Sequence, residues 1–156
     1  MEIRIAVEAD MQAVYALNDV VQGLHARARL DLYKAVVEEA GRKALFEKAR
    51  TGADWRLFVA DLSGVIAGYV ATERIEKPDS PFRWPHVEGH IHHICVRADQ
   101  RRSGVGRALA THAADELRRL GVDRLTVSAW AFNEASLGLF RSIGFAPAVV
   151  TLEAEV

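Results

Sequence analysis

The chain has 156 residues, of which 50% are hydrophobic and 26% charged, so it suits one globular domain with a single hydrophobic core. A formal net charge of -1 and an isoelectric point near 6.6 give no overall attraction to nucleic acid or to an anionic membrane, so any basic site must be local. A single cysteine excludes an intrachain disulfide, and no apolar run approaches the length of a membrane span, which together favour a cytoplasmic protein.

The N-terminal third predicts a short strand followed by two helices. Residues 3–5 alternate in polarity, which is typical of a strand. Asp10 can cap a helix that runs to about Arg29, and a break at residues 30–32 separates it from a second helix that ends before Thr51. Apolar residues at helical spacing predict two core-facing stripes, which are Ala13, Leu17, Val20, Val21 and Leu24, and then Val36, Val37, Ala40, Ala44 and Leu45.

A hairpin and an exposed loop are predicted next. Residues 56–61 and 65–71 alternate around a turn with the sequence Leu-Ser-Gly, which is typical of a hairpin. Residues 77–85 contain three of the four prolines and are predicted to lie on the surface, because proline cannot pair inside a sheet. Phe82 and Trp84 are costly to leave in water, so we expect them to pack back onto the protein or to cover a cleft.

The centre of the chain predicts a strand over residues 89–96, a polar turn over residues 97–100 and a helix from about Gly104 to Leu120. The first N–H groups of a helix have no intrahelical partner, and the helix dipole adds partial positive charge there. Three arginines surround this helix start, namely Arg101, Arg102 and Arg107. The pattern therefore favours a bound anion over an ordinary turn between a strand and a helix.

Two glycines in this turn support the same interpretation. A side chain at Gly104 or Gly106 would obstruct the close approach of a bulky anion to the backbone. The turn lacks the third glycine of the dinucleotide fingerprint and the lysine of a P-loop, so neither of those phosphate sites fits.

The C-terminal part predicts a strand over residues 125–130, a short helix over residues 135–143 and a last strand over residues 148–155. The order of all these elements predicts an α/β protein with a mixed sheet and helices on both faces.

Three motifs occur in order in the second half of the chain. The run Arg101-Arg102-Ser103-Gly104-Val105-Gly106 resembles the Arg-x-x-Gly-x-Gly pyrophosphate signature of the GCN5-related N-acetyltransferase (GNAT) family. Asn133 begins a segment similar to the Asn-x-x-Ala element of that family, and Phe140 begins one similar to Tyr-x-x-x-Gly-Phe, with phenylalanine in place of tyrosine. The resemblance implies one N-acetyltransferase domain over residues 1–156, with a mostly antiparallel central sheet flanked by helices on both faces.

The resemblance also implies acetyl-coenzyme A as the acetyl donor. The protein would contact acetyl-coenzyme A through main-chain and side-chain groups. These would come from Ile94, Cys95, Val96, Arg101, Arg102, Ser103, Gly104, Val105, Gly106 and Arg107, and from Asn133, Ser136 and Phe140 in the later motifs. The central strand would separate from its neighbour near Ile94 and Val96, beside a bulge, and leave main-chain groups for the pantetheine arm. Phe140 cannot donate a proton to the departing thiolate, so water, Tyr33 or the ammonium of the tetrahedral intermediate could replace the tyrosine.

Half of the six histidines lie within residues 90–93. Residues two apart in a strand share a face, so we expect His90 and His92 to project together and His93 to point to the other face and to matter for stability. An alkyl-ammonium with a pKa near 10.4 must lose a proton before it can attack, and an imidazole with a pKa of about 6.5 can accept it. His90 and His92 are therefore predicted to act as the catalytic base through water.

The family resemblance agrees with this role. His90 falls where the histone-acetylating branch has its glutamate base, and His92 falls where the spermidine-acetylating branch has its glutamate. Their spacing is also similar to the two proton-relaying histidines of serotonin N-acetyltransferase. The alternatives are a zinc site completed by His86, Glu88 or His112, an acyl-cysteine at Cys95, and histidines with a purely structural role.

The residues leave the acceptor open. Asp31, Tyr33, Glu73 and Trp84 could recognise an amine, or could be ordinary surface residues. We predict an acetyl-coenzyme A-dependent N-acetyltransferase that uses no metal and acetylates a primary amine of a small molecule or a protein by direct attack. The rival predictions are a catalytically silent acetyl-coenzyme A sensor or complex subunit, and a metal-binding protein. No nucleic-acid or membrane partner is expected, and a homodimer is left open.

Overall fold

The computed structural model describes residues 1–154. Its strands and helices, in chain order, are β1 (Glu2–Ile5), α1 (Met11–Ala28), α2 (Glu39–Thr51), β2 (Trp55–Leu62), β3 (Val65–Lys77), β4 (His86–Val96), α3 (Val105–Arg119), β5 (Arg124–Val127) and α4 (Glu134–Ser142). The hairpin, the central strand-turn-helix unit and the short C-terminal helix are confirmed. None of the helices in this part of the chain combines the length and the hydropathy needed to cross a membrane.

The five strands form one sheet in the order β1-β2-β3-β4-β5. Neighbouring strands are antiparallel except β4 and β5, which are parallel. This arrangement confirms the predicted mixed, mostly antiparallel sheet.

Helices cover both faces of the sheet because the apolar residues of the strands alternate between two clusters. On one face, Leu57 and Tyr69 pack with Phe46 of α2 and with α1 residues. On the other, Phe58 and Val70 pack with α3 and α4 residues. We call these the α1–α2 face and the α3 face.

The start of α1 differs in detail from the prediction. Asp10 precedes the helix, but its carboxylate makes no capping bond to the helix. Instead it accepts hydrogen bonds from the Val7 N–H at 2.8 Å and from the Arg4 guanidinium at 2.7 and 3.0 Å. Arg4 also binds Asp61 at 2.9 Å and holds the pKa of the Asp10 carboxyl below its usual value. The pair therefore fixes the turn before α1 against the sheet.

Two predicted boundaries and one predicted strand are wrong. Helix α2 begins at Glu39, so Val36 lies in the preceding loop and is 81% exposed. Strand β5 ends at Val127, short of the predicted residue 130. Residues 148–154 form no strand, and residue 155 lies outside the described residues. Their β-branched residues favour extended backbone, but a strand also needs a neighbour, and no pairing to this segment occurs in the described sheet.

The loop between β3 and β4 lies on the surface, as predicted, but its aromatic residues do not pack. Phe82 is 95% exposed and Trp84 is 86% exposed. The last pair of β2 with β3 involves Glu73, whereas β3 and β4 stay paired as far as Lys77. The hairpin therefore projects past the rest of the sheet and carries both rings away from the core.

Candidate active site

A β-bulge in β4 decides how the three histidines are displayed. Ala71 of β3 pairs with His93, but the next residue, Thr72, pairs with Ile91, so His92 is the extra residue of β4. The extra residue reverses the alternation of faces beyond it. His92 and His93 consequently both lie on the α1–α2 face, together with His90. The prediction that His93 points to the other face is wrong, because a bulge breaks the two-residue period of a strand.

His90 and His92 lie side by side, as predicted. Their ring centroids are 4.6 Å apart in an edge-to-face arrangement. His92 also stacks on Trp55 of β2, with centroids 4.4 Å apart and planes 16° apart. Its Nε2 lies 2.8 Å from the Glu73 carboxylate, which can only accept when ionised, so Nε2 carries the hydrogen and the Nδ1 lone pair is left free.

A second hydrogen-bond chain orients His90. The Thr126 hydroxyl donates to Glu88 Oε1 at 2.8 Å, and His90 Nδ1 lies 2.8 Å from the same hydroxyl oxygen. Since the hydroxyl has already used its one hydrogen, His90 Nδ1 donates to it and Nε2 keeps a free lone pair. Burial lowers the pKa of His90. Each ring thus has one N–H held by a partner and one nitrogen able to accept a proton.

His93 has a different environment from the pair. Its ring lies 6.3 Å from that of Phe46 in the α1–α2 core. Burial lowers the pKa of His93 to about 4, so the ring is neutral at physiological pH. The neutral ring can donate one hydrogen bond and accept another, but it carries no positive charge.

His93 lines a cavity of about 330 Å³ between β4, the two N-terminal helices and the loop that joins them. Gln22 donates to the Lys34 carbonyl at 2.7 Å and ties this loop to α1. The other lining residues are Asn18, Leu32, Tyr33, Val37, Glu38, Gly41, Arg42 and Leu45.

The four residues predicted to recognise an acceptor are not brought together. Only Tyr33 lines the cavity. Asp31 pairs with Arg29 at 2.7 Å, Glu73 is bound to His92, and Trp84 lies on the projecting hairpin. The Tyr33 hydroxyl accepts from Trp130 Nε1 at 2.8 Å, so its own hydrogen is available for donation.

The turn before α3 exposes a run of main-chain donors. Within residues 1–154, none of the N–H groups of residues 102–107 donates to another protein group, and the first bond of the helix runs from Ala108 N–H to the Gly104 carbonyl at 3.0 Å. Arg102 and Gly104 have φ angles of 62° and 92°, in the left-handed region. This conformation turns successive N–H groups outward, as the anion prediction requires.

The side chains of the turn are less free than predicted. Arg107 Nη2 donates to the Ser142 carbonyl at 3.1 Å, Arg101 Nε donates to the Val96 carbonyl at 3.4 Å, and the Ser103 hydroxyl donates to the Gln100 carbonyl at 2.6 Å. A Cβ added at Gly104 would meet nothing within 4 Å. At Gly106 it would instead lie 3.5 Å from the Leu139 and Val96 side chains. The expectation that a Cβ at Gly106 would obstruct an anion is therefore wrong, because that position faces α4 and β4.

Strand β4 separates from β5 next to this turn. The two strands pair only between Glu88–Ile91 and Arg124–Val127. Arg97 N–H donates to Ala67 of the β3 side at 2.8 Å, and main-chain groups alternate in direction along a strand. The main-chain groups of Ile94 and Val96 therefore face the open edge of β4.

Cys95 does not share this edge. By the same alternation its main-chain groups face β3, and its side chain is buried in the α1–α2 core. Burial raises the pKa of its thiol to about 11, so it carries no thiolate at neutral pH. Cys95 therefore presents no main-chain or side-chain group at the open edge of β4, and the structure gives no support to an acyl-cysteine.

The later motifs shape the start and the core side of α4. The Asn133 side-chain oxygen accepts from the Ser136 N–H at 3.1 Å and caps the helix, which leaves the amide NH₂ of Asn133 for other partners. Phe140 is 3% exposed and packs edge-to-face on Phe145 with centroids 5.3 Å apart. Among the described residues, no group of three or more His, Cys, Asp or Glu side chains is placed to hold a metal ion.

Sequence reasoning missed three members of the histidine site: Trp55, Thr126 and the role of Glu88. Trp55 precedes His92 by 37 positions and lies on another strand, so no local pattern connects them. The alternation of residues 125–130 could have identified Thr126 as one face of a strand, but not the histidine opposite it.

Comparisons with known proteins bear on the family and the fold of the chain. A model of the acetyltransferase (GNAT) family matches residues 21–145. The chain is 31% identical over 146 residues to the L-amino acid N-acyltransferase MnaT of Escherichia coli K12, covering 93% of this chain and 79% of that protein. It is 40% identical over 63 residues to the [ribosomal protein bS18]-alanine N-acetyltransferase of the same strain, which covers 40% of this chain and only 43% of that relative.

A solved structure shares the whole fold. A mutant of the BH1408 protein from Bacillus halodurans superposes with a TM-score of 0.92 at 22% identity, covering 100% of this chain and 99% of that one.

Proposed function

The chain belongs to the acetyltransferase (GNAT) family, and from that premise we propose that it moves the acetyl group of acetyl-coenzyme A to a primary amine. The acceptor is an amine of a small molecule or of a protein. The amine nitrogen attacks the thioester carbonyl carbon directly, so a C–N bond forms, the C–S bond breaks and coenzyme A leaves as a thiolate. The observation that carries this proposal is the run of unpaired N–H groups before α3, next to the open edge of β4 and the histidine-bearing bulge.

Each part of acetyl-coenzyme A has a matching part of the chain. The N–H groups of residues 102–107 would bind the pyrophosphate, and the free side chain of Arg102 adds charge. The outward main-chain groups of Ile94 and Val96, with the amide NH₂ of Asn133, would bind the pantetheine arm. This arrangement directs the thioester along β4 toward the bulge.

The histidine pair would accept the proton of the amine. His90 Nε2 and His92 Nδ1 are the free acceptor nitrogens, and Glu73 stabilises the imidazolium that forms on His92. His93 remains neutral beside the cavity and can orient the amine by a hydrogen bond. Phe140 has no proton for the thiolate, so solvent or the hydroxyl of Tyr33 would supply it.

The test compares the wild type with His90→Gln, His92→Gln and the double variant on an amine panel. We expect each single variant to lower turnover about 10- to 100-fold, because the partner or water can partly substitute, and the double variant to approach the general-base limit of about 10⁴-fold. The wild-type rate should rise with pH as the coupled pair loses its proton, and the burial that lowers the pKa of His90 moves this rise to lower pH. The release of the coenzyme A thiol, measured at a series of pH values, gives both the turnover of each variant and the pH dependence of the rate.

Two outcomes would contradict parts of the proposal. A double variant with an unchanged pH profile would exclude the histidine pair as the base. Tight binding of acetyl-coenzyme A with no turnover of any amine would favour the rival function, a silent sensor or complex subunit, which the loss of the tyrosine at Phe140 motivates.

A further inference from the structure

The cavity beside His93 carries charges of both signs at its rim. Lys34 and Arg42 contribute cations, and Glu38 contributes a carboxylate. Its deeper part is formed by two buried or half-buried polar groups, Asn18 and His93. We infer that this cavity takes an acceptor whose amine lies close to a carboxylate, as in an α-amino acid, with the carboxylate held by Arg42 and Lys34. The inference rests on the proposed acetyl transfer and names the acceptor class.

Arg42 is oriented by its neighbours and keeps one edge unused. Its Nη1 bonds Asp19 at 2.5 Å, and its guanidinium lies 5.0 Å from the ring centre of Tyr15. Its Nε is shielded from solvent and has no hydrogen-bond partner in residues 1–154, and no partner of Nη2 occurs there either. The side chain lines the cavity and is 17% exposed, so Nη2 can donate to a carboxylate oxygen there, whereas the shielded Nε is out of reach of a ligand.

The rest of the cavity suits the other groups of such an acceptor. Glu38 can attract the ammonium on entry. The side-chain oxygen of Asn18 accepts from no described residue, although its amide donates to the Tyr69 hydroxyl at 3.4 Å, so the oxygen can accept from the amine. Leu32, Val37 and Leu45 offer apolar surface to a side chain.

The volume limits the size of the acceptor. At about 30 Å³ for each water molecule, a cavity of about 330 Å³ holds about as much as 11 waters, which is enough for a single amino acid. A larger polyamine or oligosaccharide would extend into solvent.

The experiment uses L-leucine, L-leucinamide and 3-methylbutylamine as acceptors for the full-length protein with acetyl-coenzyme A. The three share one apolar group, and the amide and the alkylamine lack the carboxylate while bracketing the basicity of the leucine amine. We expect kcat/KM for L-leucine to exceed both others by about 10- to 100-fold, as for the loss of a charge-assisted hydrogen bond.

Variants locate the effect. Lys34→Gln and Arg42→Gln should each raise KM for L-leucine about tenfold, leave kcat nearly unchanged and leave KM for 3-methylbutylamine unchanged. Lys43→Gln is the matched control, because Lys43 is 59% exposed, pairs with Glu39 at 2.6 Å and lies outside the cavity lining. Lys34 lies in an exposed loop, so its variant keeps the test valid if Arg42→Gln unfolds.

Calorimetric titration of L-leucine into the protein saturated with coenzyme A measures its binding in the absence of turnover. The inference is overturned, while the proposed acetyl transfer stands, if kcat/KM is equal for the three amines. The same holds if neither Lys34→Gln nor Arg42→Gln changes KM for L-leucine. If none of the amines is turned over and L-leucine still binds in a manner that needs Arg42 and Lys34, the cavity assignment holds and the proposed function fails. If L-leucine is neither turned over nor bound, the inference is overturned.

Discussion

His92 and His93 are neighbours in the chain but have opposite electrostatic surroundings. The first donates a hydrogen bond to the Glu73 carboxylate and stacks on Trp55. The second is half-buried beside Phe46 and has no acidic partner among the described residues, so its charged form is disfavoured and its pKa falls to about 4. One residue is therefore suited to accept a proton and the other to remain neutral.

The low pKa of His93 predicts a loss of stability in mild acid. The folded pKa of about 4 lies below the ordinary value of about 6.5, so between these values the unfolded chain binds more protons. The stabilisation is complete above about pH 6.5 and is lost as the pH falls toward 4, by about 2 to 3 kcal/mol. His93→Gln should lose less unfolding free energy over this range than the wild type.

Urea denaturation at pH 7.5, 5.5 and 4.5 measures this difference. His25 and His90 also have pKa values lowered by burial, so we expect the variant to keep a weaker acid dependence rather than none. His92 and His25 are the charged neighbours that act on His93. If the unfolding free energy of both proteins declines equally with pH, the pKa of His93 is not lowered in the folded state.

The loop before α3 and the bulge in β4 are the two irregular features that make the site. Gly104 has a φ of 92°, and a Cβ added there would project into open space. Gly106 has its Cβ direction toward α4 instead, at an ordinary contact distance. The two glycines therefore serve different purposes, an open backbone at the first and close helix packing at the second.

Three substitutions separate backbone geometry from side-chain charge in this loop. Gly104→Val should weaken binding of coenzyme A by at least about tenfold, since it strains the backbone and fills the anion position. Arg102→Ala should weaken it only a few-fold, because one exposed cation adds little. Gly106→Ala should fit with little change.

Calorimetric titration with coenzyme A gives the three affinities, and thermal unfolding checks that Gly104→Val still folds. If Arg102→Ala weakens binding more than Gly104→Val, side-chain charge rather than loop geometry dominates the binding.

The molecule has two apolar layers, one on each side of the sheet, and a hairpin that lies outside both. Phe46 is 1% exposed at the centre of the α1–α2 layer, whereas the two aromatic rings of the hairpin loop are almost fully exposed. We therefore expect the double substitution Phe82→Ser and Trp84→Ser to change the unfolding free energy by less than about 0.5 kcal/mol. Phe46→Ala, the comparison, should cost about 3 to 5 kcal/mol.

Chemical denaturation of the three proteins measures this contrast. A loss of more than about 1 kcal/mol in the hairpin variant would mean that these rings are buried in solution. The cytoplasmic location, the absence of nucleic-acid and membrane partners, and the homodimer stay predictions.

Features that depend on a few consecutive residues could be predicted from the amino-acid sequence. The strand-turn-helix unit around Gly104 follows from alternating apolar residues, a turn that needs a positive φ and a helical stripe, all within one segment. The order of strands and helices follows in the same way, and with it the mixed sheet with helices on both faces. The motif resemblance added the family, which the comparison over residues 21–145 confirmed.

Contacts between distant segments could be read only from the folded chain. The resemblance implied a bulge in the central strand, but its position at His92, which brings His93 to the cavity, depends on a one-residue offset between β3 and β4 that no residue of β4 alone encodes. The same holds for Glu73 and Thr126 as partners of the histidine pair, and for the unpaired β-branched residues 148–154. Local pattern sets the conformation of a segment, but its neighbours are set by the packing free energy of the whole chain, which a local pattern does not contain.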